Sequence, residues 1–229
     1  MRVVIIHGQS HRGATYHVAR ELAVKLGDDV TEFFLPRDFD EFCVGCTRCF
    51  TVGEDRCPHR EKLQPITKAL DEADVIILAS PVYVYHATGA MKALLDHYGY
   101  RWMPHRPSEG MFCKQGVCIC TAAGAGMKST LKDMADSLSF WGVARVYRYG
   151  AAVAATDWEG VSEKRRSKIE AATSRIASKI IARSGHVTPS LKTKATFMVM
   201  RMMQRNGYNP LDVDYWKSKG WLERERPWK

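Results

Sequence analysis

The chain has 229 residues, 45% of them hydrophobic, and its 34 Lys and Arg outnumber 25 Asp and Glu to give a net charge of +9. That length suits one α/β domain, or a domain with an appendage, and not two independent enzyme domains. The opening MRVVIIHGQS is too short in apolar residues for a signal peptide and no later run approaches a membrane span, so we expect a cytoplasmic protein without a transmembrane segment.

Strands and helices alternate along the chain, the pattern of a parallel sheet covered on both faces. Arg2 to His7 reads as a buried strand, followed by the loop GQSHRGAT and a helix from Thr15 to Leu26. Val30 to Leu35 is a second strand that leads into the cysteine-rich CVGCTRCFTVGEDRC, and Leu63 to Ala73 is a helix. Val75 to Ser80 is the third strand, stopped by Pro81, with a short helix over Gly89 to His97. Gly116 to Thr121 is the fourth strand, followed by TAAGAG and a helix from Lys128 to Phe140. Arg145 to Ala155 holds the fifth strand. A helix from Glu159 to about Ser184 closes the domain, with Ile169, Thr173, Ile176 and Ile180 on one face. The expected architecture is therefore a doubly wound, five-stranded parallel sheet over residues 1–184, with a C-terminal extension over 185–229.

Charge is unevenly placed along the chain. Residues 1–158 carry 18 basic and 18 acidic side chains, residues 159–229 carry 16 and 7, so the excess lies at the C-terminal end. No zinc-finger, homeodomain or RNA-binding signature accompanies it, and we expect no nucleic-acid partner. The extension also contains Phe197-Met198-Val199-Met200-Arg201-Met202-Met203, an adaptable apolar surface. We expect it to pack across a subunit interface or over the ligand mouth, with Tyr215, Trp216 and Trp221 as anchors.

Ligands of a doubly wound sheet bind beyond the carboxyl ends of the strands. The loop after strand one offers the Ser10 and Thr15 hydroxyls, helix N-terminal amides and the Arg12 charge, a set suited to a phosphate; it has neither a GxGxxG fingerprint nor a P-loop. The loop after strand three, SPVYVYHATGAMK, is apolar and aromatic where a loop is usually polar, as a wall for a flat aromatic ligand would be. The loop after strand four has small residues that let backbone approach a ligand; Met127 interrupts its partial likeness to a Walker motif.

SHRGATYH, SPVYVYHATGAMKALLDH and TAAGAG, in that order around five strands, resemble flavodoxin-like NAD(P)H-dependent FMN reductases, and CVGCTRCF followed by Cys57 is similar to the iron–sulfur flavoprotein branch. The resemblance covers residues 1 to about 184. It implies FMN with its phosphate on Ser10, Arg12, Gly13, Ala14 and Thr15. The ring would be bounded by Pro81, Val82, Tyr83, Val84 and Gly89, and by Thr121, Ala122, Ala123, Gly124 and Gly126. The chain departs from the pattern at Ala14, where many relatives have Asn or Ser, and at HREKLQP after Cys57, where many carry paired aspartates.

Seven cysteines in a reducing compartment read as thiols or metal ligands rather than disulfides. Cys43, Cys46, Cys49 and Cys57 have the compact spacing that a [4Fe–4S] cluster needs, and Gly45 and Gly53 permit tight wrapping. A zinc site and free thiols are the open alternatives. Cys113, Cys118 and Cys120, in or beside a strand, read as small core residues.

No nucleophile–base pair or carboxylate dyad is evident. His11, His86, His97 and His105 read as polar residues in or near loops, and Lys92 with Asp96 as a local ion pair. The expected activity is FMN-dependent oxidoreduction, from NAD(P)H or a reduced carrier to a small acceptor such as a quinone, free flavin or xenobiotic, in a homo-oligomer. The alternative is an electron carrier whose FMN and cluster exchange electrons with redox proteins such as ferredoxin.

Overall fold

The computed structural model describes residues 1–228. Five parallel strands, β1 (Val3–His7), β2 (Val30–Phe34), β3 (Val75–Ala79), β4 (Gln115–Ala122) and β5 (Arg145–Ala152), form one sheet in the order β2-β1-β3-β4-β5. That is the flavodoxin-like order expected from the sequence. β1, β3 and β4 are buried along their whole length, which is why they are continuous apolar runs rather than alternating ones. The edge strands β2 and β5 are only partly buried and more polar.

Side chains alternate between the two faces, so each strand feeds two cores. Val3, Ile5, Val75, Ile77, Val117 and Ile119 pack with α1 (Ala14–Leu26) and α6 (Glu163–Ile181). Val4, Ile6, Ile76, Leu78, Cys118 and Cys120 pack with α3 (Arg60–Glu72), α4 (Gly89–His97) and α5 (Met127–Phe140). On α6, Ile169, Thr173 and Ile180 are buried, and Ile176 is partly buried against the same core.

The extension folds back onto the domain. It forms α7 (Leu191–Arg205) and α8 (Pro210–Ser218). Phe197, Trp216 and Trp221 are fully buried with Met103 and Phe112 in a third core. Phe197 stacks on Trp216 at 4.8 Å between centroids, and the Tyr215 hydroxyl donates to Pro107 O at 2.7 Å. Trp216, Trp221 and Tyr215 thus anchor the extension to this chain's own segment 99–113. Met198, Val199 and Met202 remain exposed because a helix turns only part of such a run inward.

Candidate functional site

α1 and α4 leave β1 and β3 toward opposite faces of the sheet, so the loops after these two neighbouring strands part and open a crevice. One buried threonine holds its base. Thr88 Oγ1 donates to Gly8 O at 2.6 Å and accepts from Met91 N at 3.2 Å, capping α4, while Thr88 N donates to Ser80 Oγ at 3.0 Å. Gly8 must be small here, since a Cβ would meet Thr88 Oγ1 at 2.9 Å.

A cavity of 240 Å³ lies at this point, lined by Gly13, Ala14 and Thr15, by Pro81, Val82 and Tyr83, and by Thr121, Ala122 and Ala123. α1 starts at its edge without a side-chain cap, because Gly13 occupies the cap position. Its first amides and the positive end of the helix dipole are therefore available to an anion. Ser10 and Arg12 are exposed at the rim. Ser10 Oγ donates to Leu35 O at 3.2 Å, and the Arg12 guanidinium lies 5.4 Å from the Tyr16 ring centroid. Thr15 is buried and its hydroxyl is 2.6 Å from that of Thr121, tying α1 to β4.

Beyond Tyr83 the chain makes a tight hairpin closed by Tyr83 N to His86 O at 2.9 Å and His86 N to Tyr83 O at 3.0 Å. Its two central residues, Val84 (φ 48°) and Tyr85 (φ 68°), are both left-handed. Such a turn favours Asn-Gly, and a β-branched residue there is strained. Asp133 of α5 accepts from Ala87 N at 3.2 Å and lies 3.0 Å from His86 Nδ1, bracing the turn. Gly126 (φ 86°) backs it: a Cβ there would fall 2.6 Å from Val82 Cγ1 and 3.0 Å from Tyr85 Cα.

The cysteine loop follows β2. Cys43, Cys46, Cys49 and Cys57 all line one pocket of 70 Å³. Gly45 (φ 63°) and Thr47 (φ 56°) give it two left-handed turns, and Cys49 sits on the single-turn helix α2 (Arg48–Thr51). Burial pushes the Cys49 thiol up, and the neighbouring Cys57, Cys43 and Cys46 add to it by like-charge repulsion. Four soft sulfur donors that repel one another fit a cation or a metal cluster.

Two other parts of the chain hold this loop. Buried Arg106 donates to Cys49 O and to Asp212 Oδ1, and its Nη2 is 3.1 Å from Glu54 Oε2. Asp212, on α8, is fully buried and also lies 2.8 Å from His105 Nδ1. Asn209 Nδ2 donates to Phe50 O at 3.0 Å.

Behind the loop, His97 is buried in α4 and donates from Nδ1 to Ala93 O at 2.7 Å. Burial lowers its pKa, so Nε2 keeps its lone pair and accepts from His59 Nδ1 at 2.7 Å. His97 is thus not the polar loop residue expected, and His105 is tied to Asp212. Lys92 and Asp96 form the expected ion pair. Cys118 and Cys120 are buried in the core, the latter with its pKa pushed up to about 12, whereas Cys113 is exposed beside Pro227 O and corrects its assignment to the core.

Of the residues singled out for the flavin, Ser10, Arg12, Val84, Gly89, Gly124 and Gly126 stand outside the cavity lining, and Gly89 opens α4. Gln9, His11, Val153, Ala155 and Thr156 line it without having been anticipated. The last three follow β5, and the rule that pointed to the other loops points to this one as well. A larger cleft of 470 Å³, lined by residues that include Asp136, Arg145, Arg148 and Lys192, lies against the first half of β5, away from these loops.

The profile of the NADPH-dependent FMN reductase family matches residues 1–159. The chain belongs to that family. Among relatives of this family member, an iron–sulfur flavoprotein of Archaeoglobus fulgidus is 27% identical over 186 residues, covering 79% of this chain and 80% of the relative. An iron–sulfur flavoprotein of Methanocaldococcus jannaschii is 34% identical over 140 residues, covering 58% and 69%. The NAD(P)H:quinone oxidoreductase of Methanothermobacter marburgensis shares the fold, with a TM-score of 0.61 at 17% identity over 77% of this chain and 96% of that one. Among the described residues no helix is long and apolar enough to cross a membrane.

Proposed function

We propose that this FMN reductase family member binds FMN at the β1/β3 crevice, takes electrons from NAD(P)H or a reduced carrier, and passes them to a small acceptor such as a quinone, free flavin or xenobiotic. The observation that carries this reading is the uncapped N-terminus of α1 at the edge of the cavity between the loops after β1, β3 and β4. When bound, FMN supplies the hydride chemistry. The protein binds and orients. Amides of the first turn of α1, with Ser10 and Arg12 at the rim, hold the phosphate. Pro81, Val82 and Tyr83 on one side, and Thr121, Ala122 and Ala123 on the other, bound the ring and limit water. Val84, Gly124 and Gly126 shape the loops behind those walls, and Gly89 starts the helix that Thr88 caps.

The test is titration of flavin-free protein with FMN, followed by steady oxidation of NADH and NADPH with a quinone or flavin acceptor. Failure to bind FMN after reconstitution would overturn the reading. Exposed Val84 and Tyr85 on the turn beyond Tyr83, with exposed Phe42 and Val44 at the cysteine loop, favour a homo-oligomer.

A second reading rests on the cysteine pocket. Cys43, Cys46, Cys49 and Cys57 facing one small space favour a [4Fe–4S] cluster, with the protein exchanging electrons with partners such as ferredoxin. Iron and sulfide analysis of anaerobically purified protein decides this; flavin absorption without iron removes it.

A further inference from the structure

Just after Cys57 the chain runs Pro58-His59-Arg60, and His59 turns back toward α4. Cys57 Sγ, a ring nitrogen of His59 and one of His97 lie within 4.8 Å of one another. They line the same 70 Å³ pocket as Cys43, Cys46 and Cys49.

One thiol and two imidazoles are the donors of a mononuclear zinc-type site. Their orientation is prepared for it. Ala93 O accepts a hydrogen bond from His97 Nδ1 at 2.7 Å, which leaves the Nε2 lone pair for a metal ion, the arrangement by which an outer-shell carbonyl fixes a ligating histidine. His97 is buried and His59 half-buried, so neither ring is a freely moving surface group. His59 Nδ1 stands 2.7 Å from His97 Nε2, with a single proton between them. His59 Nε2 lies 3.8 Å from Glu41 Oε2, within ion-pair distance though not hydrogen-bonded to it.

We propose that Cys57, His59 and His97 form a mononuclear site for a divalent transition ion such as Zn²⁺, with water in the fourth position. Binding replaces the proton shared by the two rings. That proton moves to His59 Nε2, toward Glu41, and the Cys57 thiol proton goes to solvent, so one proton is released per ion bound. The site stands independently of the cluster reading, but if Cys57 also serves a cluster, the two cannot be filled together. Zinc in the mixed site then withholds Cys57, and the ion acts as an inhibitor of cluster assembly.

The probe is Co²⁺, titrated anaerobically into full-length, metal-free, FMN-reconstituted protein with its thiols reduced. We expect one equivalent to give thiolate-to-cobalt charge transfer and the intense visible bands of tetrahedral cobalt. His59→Ala and His97→Ala each weaken binding by more than about a hundredfold, beyond the loss of an outer-shell partner. His59→Ala is the safer variant because its ring is less buried, and unchanged FMN binding shows that it has folded. The double variant Cys43→Ser/Cys46→Ser keeps wild-type cobalt affinity. The proposal is overturned if wild type shows no thiolate–cobalt bands, if His59→Ala binds as wild type does, or if the double cysteine variant loses the ion.

A second measurement addresses exclusion. Wild type preloaded with Zn²⁺ takes up less iron and sulfide on reconstitution than metal-free protein, and His59→Ala does not show the difference. Equal uptake by zinc-loaded and metal-free wild type refutes exclusion. If no form takes up sulfide, the cluster reading fails, while the cobalt titration still decides the mixed site.

Discussion

Asp212→Asn probes the link between the C-terminal extension and the cysteine loop. Asp212 is fully buried, accepts from Arg106 and lies 2.8 Å from His105 Nδ1, while Arg106 also holds Cys49 O and has Glu54 at 3.1 Å. Removing one partner of a buried pair costs about 3–5 kcal/mol, because the remaining charge is left without compensation. Glu54 stays on Arg106 but is itself half exposed, so we expect the low end, about 3 kcal/mol. With a urea m-value of about 3 kcal/mol/M, the midpoint falls by about 1 M at unchanged m. Unfolding is followed at fixed, saturating FMN so that ligand linkage is constant. The same variant frees Cys49 for faster alkylation. A midpoint shift under about 0.2 M, or additive effects of Asp212→Asn and Arg106→Met in a double-mutant cycle, would show that the contact carries no energy.

Trp216→Ala empties the centre of the third core and should cost about 3–5 kcal/mol in urea unfolding, with FMN affinity nearly unchanged because that core lies apart from the crevice. Gly126→Ala forces a Cβ to 2.6 Å from Val82 Cγ1 at φ 86°, whereas a Cβ at Gly124 meets nothing within 4 Å. FMN titration should therefore show a marked loss for the first and little change for the second. His7 is buried beside Glu32, and burial holds its pKa below the usual 6.5. Below pH 6.5 the unfolded chain binds a proton that the folded state resists, so stability present at higher pH is lost on acidification. His7→Gln should flatten stability between pH 7 and 5 by up to about 1.4 kcal/mol per pH unit, measured by urea midpoints.

β1, β3 and β4 were legible because central parallel strands are apolar on both faces, and Pro81 and the loop glycines punctuate them. The crevice was legible by topology: three loops of unusual composition follow three strands whose carboxyl ends adjoin. The Val84-Tyr85 turn was not, because its backbone runs against the preferences of both residues and is imposed by Asp133 and Gly126. The path of the extension was hidden for a different reason. Trp216 and Trp221 announce burial, but their partners Met103 and Phe112 lie more than a hundred residues earlier, and no local pattern records that distance. His59 and His97 likewise meet only because α4 passes behind the cysteine loop.

The link from Cys49 through Arg106 to Asp212 also has a meaning in time. Asp212 follows Cys49 by about 160 residues, so at roughly 5–20 residues per second it leaves the ribosome on the order of ten seconds later. The cysteines are exposed and complete long before their far anchor exists. The cysteine loop is therefore slack while the chain is being made and braced once it is finished, with the extension as a late latch on it.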